Sequence, residues 1–167
     1  GESYVAATDT AHGVGRDYSV TVIMNIRTGC FVADIMSNVI SPEEFALCSV
    51  KMLRLYESPM WFIEEADFGR VVINRAKDLG YKNFGYRDKT KTKIGINLLE
   101  GNRTEMLGEL IAAVNSHQIT IYNVNALADF IDVVRNAEKN GRIEALSGCH
   151  DDYVIAAAIA WSKRHEA

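Results

Sequence analysis

The sequence predicts an α/β domain built on a mixed central sheet with helices on both faces. Three observations predict it. Residues 3–9, 18–26 and 30–39 are successive runs rich in β-branched and apolar residues, separated by glycine-containing turns. A strong helix signal follows, and then a short apolar run, residues 60–65, that a preceding helix would return parallel to an earlier strand. The second half of the chain is mainly helical in period, with one short strand near residue 120. All 167 residues are expected to form one domain, since that length supports a proper core but is short for two.

The first run ends on a carboxylate, Asp9, just before Gly13-Val14-Gly15. Residues 18–26 and 30–39 flank the turn Arg27-Thr28-Gly29 and read as a hairpin, so the first three strands form an antiparallel meander. Ser41-Pro42-Glu43-Glu44 is a helix start: Ser41 caps, Pro42 suits the first helical position and Glu44 completes a capping box. Phe45, Cys48, Met52, Leu55 and Tyr56 follow at helical spacing and are expected to face the sheet.

The run 60–65 ends on Glu64-Glu65. Residues 69–79 read as a helix closed by Gly80, and 82–86 as a brief edge strand. Residues 87–102 show no period and read as a long loop or flexible hairpin. Helices are expected over 103–117 and 125–137, the second facing inward through Leu127, Phe130, Ile131 and Val134, with a strand at 118–122 between them. Asn140-Gly141 suits a two-residue hairpin turn. The alanine-rich segment 151–165 closes the chain as a helix able to lie close on the sheet.

Composition narrows the function. No apolar run reaches the ~18 residues of a membrane span, and no basic-then-apolar signal segment opens the chain, so no membrane partner is expected. Cys30, Cys48 and Cys149 form an odd set without CxxC spacing, which predicts a reduced, intracellular setting. Cys149-His150-Asp151 lacks the second ligand pair that a zinc site needs. The net charge of −4 is unlike that of a basic nucleic-acid module. The charge is uneven, however: Lys82, Arg87, Lys89, Lys91 and Lys93 stand against Asp88 alone. Such a run beside acidic clusters fits a metal enzyme acting on a polyanion, and equally a solvated loop.

Acids mark three element ends: Asp9, Glu64-Glu65 and Asp151-Asp152. If the first and fourth strands are parallel neighbours, and the last helix points its first turn at them, these carboxylates converge. Converging carboxylates repel unless cations intervene. Oxygen donors suit Mg2+ or Mn2+, and two ions ~4 Å apart would serve both the attacking and leaving oxygens of a phosphodiester. The bland alternatives are a turn aspartate, a strand ending in solvent and acids that favour a helix N-terminus.

Ala7-Thr8-Asp9-Thr10-Ala11 with Gly13, Gly15, Asp17, Tyr18 and Ser19 resembles the opening of the nuclease domain of phage large terminase subunits. Ile63-Glu64-Glu65 with Gly69, Gly95-Ile96-Asn97 with Gly101-Asn102-Arg103, and His150-Asp151-Asp152 with Ala156 resemble later motifs of that family, in order. The resemblance implies a ribonuclease H-like fold and a metal-dependent endonuclease that cuts double-stranded concatemeric DNA during genome packaging. Its partners would be an ATPase motor domain, the small terminase subunit and the portal, in the cytoplasm of an infected bacterial host. No Gly-x-x-x-x-Gly-Lys-Ser/Thr run occurs, so the chain would be the nuclease part alone.

By position, Asp9 would be the first metal ligand and Glu64 the second. The family's Asn-Gly-Pro-Gly run is here Ala66-Asp67-Phe68-Gly69, which leaves Glu65 and Asp67 open. Asp151 and Asp152 both match the third motif, and helical geometry turns only one of them to the metals. His150 reads as a local hydrogen-bond partner rather than a base. Arg87, Lys89, Lys91, Lys93 and Arg103 are the candidate DNA contacts. Other readings are a junction resolvase or transposase core, an actin-like phosphate-binding half-domain, and a non-catalytic DNA-binding module.

Overall fold

The computed structural model describes residues 1–10, 17–66, 68–136 and 150–167; within that, the side chains of residues 100, 132 and 134–136 are not described. Five strands form one sheet in the order β4-β1-β2-β3-β5. They are β1 (Tyr4–Asp9), β2 (Ser19–Asn25), β3 (Cys30–Ser37), β4 (Met60–Ile63) and β5 (Thr120–Ile121). The expected meander is present, β1 to β2 and β2 to β3 both antiparallel. β4 returns parallel to β1, with Thr8 opposite Ile63, so both strands end at the same sheet edge. β5 runs parallel to β3.

Alternation along the strands assigns each face its own core. Val5, Ala7 and Phe62 point to the face covered by α3 (Glu100–Asn115), α4 (Val124–Asn136) and α5 (Asp152–Lys163). Ala6, Trp61 and Ile63 point to the face covered by α1 (Pro42–Leu55) and α2 (Gly69–Asp78). Under the end of β1 runs a buried polar chain. Trp61 Nε1 donates to Thr8 Oγ1 (2.8 Å), Thr8 pairs with Thr21 (2.7 Å) and Thr21 with Ser49 (2.9 Å). A satisfied buried network of this kind fixes one strand register where an apolar core would tolerate several.

Ser41 caps α1 as expected, accepting from Glu44 N at 3.2 Å. The buried face of α1 is rotated from the sequence reading. Phe45, Ala46, Ser49, Val50 and Leu53 are buried, while Leu55 is 82% exposed. Small residues bring this helix close to the sheet, and Ser49 is drawn inward by Thr21. α4 shows the same offset: Ala126, Phe130 and Val133 are buried, whereas Leu127 and Ile131 are exposed. The stretch 82–86 forms single bridges rather than a strand. The expected turn at Asn140-Gly141 lies outside the described residues, as does the side chain of Val134. Among the described residues no helix is long and apolar enough to cross a membrane.

Candidate metal centre

Parallel pairing of β1 with β4 sets Asp9 and Glu64 side by side one residue beyond the Thr8–Ile63 pair, with Glu64 N bonded to Thr8 O at 3.0 Å. By strand alternation both side chains emerge on the face that carries α5. A Cβ on Gly69 would lie 1.7 Å from the Glu64 carbonyl oxygen, so only glycine lets α2 start against this strand end. Gly95, at φ +93°, packs against the Ile63 carbonyl, and Ile96 N bonds Ile63 O at 2.8 Å. The backbone at Glu64 is therefore held from both sides.

Asp9 is 8% exposed. Its carboxyl is held well above the usual carboxylate range by burial first, then by a hydrogen bond to Glu64 and its charge, then by the charges of Asp152 and Asp151. Asp152 opens α5 and accepts from Tyr18 N at 2.8 Å. Its pKa is pushed up to about 6, mainly by burial, with Asp151 and Asp17 adding and the Tyr18 amide and His150 opposing. Carboxyls crowded enough to keep protons are the donor set that a divalent cation neutralises, and all-oxygen ligation suits Mg2+ or Mn2+.

No family model and no curated protein sequence matches the chain. Solved structures do match. The large terminase nuclease of thermophilic phage G20c superposes with a TM-score of 0.76 at 17% identity, over 97% of this chain and 82% of that one. The human cytomegalovirus terminase nuclease domain, manganese-soaked and inhibitor-bound, gives 0.65 at 11% identity, over 98% and 83%. The nuclease domain of the large terminase subunit of bacterial virus Sf6, with manganese, gives 0.64 at 8% identity, over 95% and 87%. The chain has the fold of a large terminase nuclease. This is a ribonuclease H-like fold, as the motifs implied. The G20c nuclease has also been solved with magnesium, cobalt and zinc.

Within this terminase nuclease fold the sequence-predicted residues separate. Asp9 and Glu64 stand side by side, and Asp152 lies near enough for its charge to act on Asp9. Glu65 points the other way, to the α2 face, where it pairs with Arg70 (3.2 Å) and Arg87 (3.1 Å). Asp151 is the N-cap residue of α5 but makes no side-chain capping bond. It receives the Arg103 guanidinium at 2.6 Å. Arg103 therefore sits at the rim of the acidic cluster, with a carboxylate already in hand. Asp67 and Gly13-Val14-Gly15 lie outside the described residues.

Of the two readings of the segment around Arg87, Lys89, Lys91 and Lys93, the structure takes the hairpin, closed at its base into a tight turn. Tyr86 bridges Ile94, and Arg87 N bonds Lys93 O at 2.9 Å. Asp88 accepts from the Thr90 and Thr92 hydroxyls and from the amides of Thr92 and Lys93. Lys89 and Lys91 stand exposed at the tip, and Arg87 and Lys93 at the base.

Asp17 was not among the sequence candidates. One ligand atom each from Asp17, His150 and Asp152 lies within 4.8 Å of the others. His150 Nδ1 is 3.6 Å from Asp17 and 3.8 Å from Asp152, and its ring meets Tyr18 edge-on. At those distances His150 stands beside both acids without a hydrogen bond to either. The signal for Asp17 was its place in the first motif, ahead of Tyr18.

Proposed function

We propose that this chain is a divalent-metal-dependent endodeoxyribonuclease that cuts double-stranded viral DNA concatemers during genome packaging. The observation that carries the reading is the pairing of Asp9 with Glu64 at the end of parallel strands, on the face where α5 begins with Asp152. The fold adds support, since terminase nucleases of the same architecture have been solved with divalent metals. Asp9, Glu64 and Asp152 would hold Mg2+ or Mn2+, two ions in the fullest version, with Asp151 beside them. Such ions supply a water activated near neutral pH and positive charge for the leaving oxygen.

The chain's own groups do the positioning. Tyr18 N fixes one oxygen of Asp152. Arg103 neutralises Asp151, which keeps a further negative charge from opposing an incoming phosphate. The turn carrying Arg87, Lys89, Lys91 and Lys93 would contact the DNA backbone, which positions the duplex without reading its sequence. In this reading the whole chain is one nuclease domain that works with an ATPase motor domain, the small terminase subunit and the portal in the host cytoplasm.

Plasmid cleavage with Mn2+, compared between the parent and Asp9→Asn, tests the proposal. Metal-dependent nicking by the parent and none by the variant is the expected result. Equal cleavage by both would remove the metal centre. A well-folded parent that binds DNA and never cuts would favour the non-catalytic module.

A further inference from the structure

Back to back with the metal centre, on the α2 face, lies a cleft of about 410 Å3 between α2 and the 87–93 turn. Arg70, Lys77, Arg87 and Lys93 line it, and Glu65 is its single carboxylate. Arg70, Asn74 and Lys77 follow one another at helical spacing, so α2 presents a polar, mainly cationic stripe. The 87–93 turn presents the second cationic wall, and Asp88 holds its shape.

Glu65 is poised between the walls. It lies 3.2 Å from Arg70 Nε and 3.1 Å from Arg87. Its Oε2 is sequestered, yet it receives no aligned hydrogen bond. The Arg87 contact is thus electrostatic attraction without a directed donor, and the Arg70 side chain is 74% exposed. Guanidinium groups held by charge alone keep N–H donors for a second acceptor, and a phosphate accepts two of them in parallel. The cleft and the metal centre share the end of β4, because Glu64 and Glu65 are consecutive residues facing opposite sides.

We propose that this cleft seats a backbone phosphate of the DNA away from the scissile one, and that Glu65 is its built-in counter-ion. With the seat empty, Glu65 keeps Arg70 and Arg87 together. Phosphate then competes with Glu65 for the same donors. Arg70 and Lys77 become DNA-positioning residues, outside the basic run that the sequence singles out.

The inference rests on the nuclease reading, so its test is arranged to separate the two. Duplex binding is measured over a salt series with Asp9→Asn protein as the parent, which isolates binding from cleavage. Adding Arg70→Ala and Lys77→Ala, both on the helix surface, is expected to weaken binding equally for unrelated sequences. It should also flatten the salt dependence by about 0.9, for the one phosphate no longer neutralised. Adding Glu65→Gln is expected to do the opposite, raising affinity several-fold. A double variant with the parent's slope would overturn the seat. Weaker binding by a Glu65→Gln protein of unchanged melting temperature would overturn the counter-ion role and make Glu65 a strut. Absence of duplex binding by the parent would remove the nuclease reading and the seat together, whereas parent binding indifferent to Arg70 and Lys77 removes the seat alone.

Discussion

Asp9 and Glu64 stand side by side at the end of the parallel β1–β4 pair, where burial and the neighbouring Glu64 hold the Asp9 carboxyl well above its ordinary range. Two neighbouring carboxyls cannot both ionise without cost, and burial of Asp9 favours a proton on it. The pair is a site that holds a proton in place of a cation.

Asp9→Asn should therefore fold well. The amide can donate to Glu64 much as the protonated acid does, and one buried like charge disappears. Without metal the melting temperature should equal or exceed that of the parent. Cleavage should fall by more than the roughly 10–100-fold typical of groups that only support a metal ligand. The rise in melting temperature produced by Mn2+ should be lost. A variant that keeps that rise would place the metal elsewhere.

Metal binding should be steeply pH-dependent. The Asp152 pKa is pushed up to about 6 from its ordinary 3.8, and burial and Glu64 hold Asp9 well above the ordinary range too. A raised acid contributes stability that is full below the unfolded pKa and is lost as pH rises through the folded one. In EDTA this contribution should fade between about pH 4 and pH 6 for Asp152, and Asp9 should lose its own share as pH rises, in the same direction. Cations must displace those protons, so apparent Mn2+ affinity should climb by about tenfold per pH unit for each proton released. Thermal shifts with and without Mn2+ at pH 5 and pH 8 check this. Equal metal-induced shifts at both values would mean that the acids are solvated and unrelated.

The strands, their meander and the parallel return of β4 could be read from the chain because β-branched runs and capping residues are local signals. Asp9 was readable for the same reason, as a carboxylate at a strand end. Glu64 is preferred through its place in the motif, with Glu65 left open, and the residues themselves cannot choose between the two. That choice depends on which sheet face carries α5, and no residue near 64 encodes that. The faces of α1 and α4 were misread toward their largest side chains, Leu55, Leu127 and Ile131, where Ala46, Ser49 and Ala126 take the buried positions. The 87–93 turn did carry a signal, an aspartate followed by two threonines, whose side chains bond locally.

Arg103 should act on the acids more than on stability. Its pair with Asp151 is partly exposed, and such pairs contribute at most about 1 kcal/mol. Arg103→Ala should barely move the melting temperature. It should leave Asp151 uncompensated, which raises the proton affinity of Asp152 and Asp9 and shifts the rising limb of the cleavage profile to higher pH. Rescue by Arg103→Lys would confirm that charge is what matters. A reduced salt slope for DNA binding with an unmoved pH profile would instead make Arg103 a phosphate contact.

The tip of the 87–93 turn should hold DNA through charge alone. Lys89 and Lys91 are exposed, and Lys93 reaches back toward the α2 cleft. Asp88 holds all three in place through hydrogen bonds that also draw its pKa well below the usual range, those to Thr90 and Thr92 first. Changing Lys89, Lys91 and Lys93 together to Ala should weaken duplex binding alike for all sequences. The salt slope should drop by about 0.9 for each phosphate that goes without its lysine, roughly three at most. The metal-induced rise in melting temperature without DNA should stay as in the parent, because the turn holds no metal ligand. Asp88→Ala should produce part of the same binding loss with every lysine still present, since the charges then sit on an unpinned turn. Hydrogen exchange checks the link: the Thr92 and Lys93 amides, both bonded to Asp88, should lose protection in that variant. A depressed acid stabilises above its unfolded pKa and ceases to as pH falls through the folded one, so the parent turn should stay closed down to strongly acid pH. A triple variant with the parent's salt slope would move the DNA track off this turn altogether.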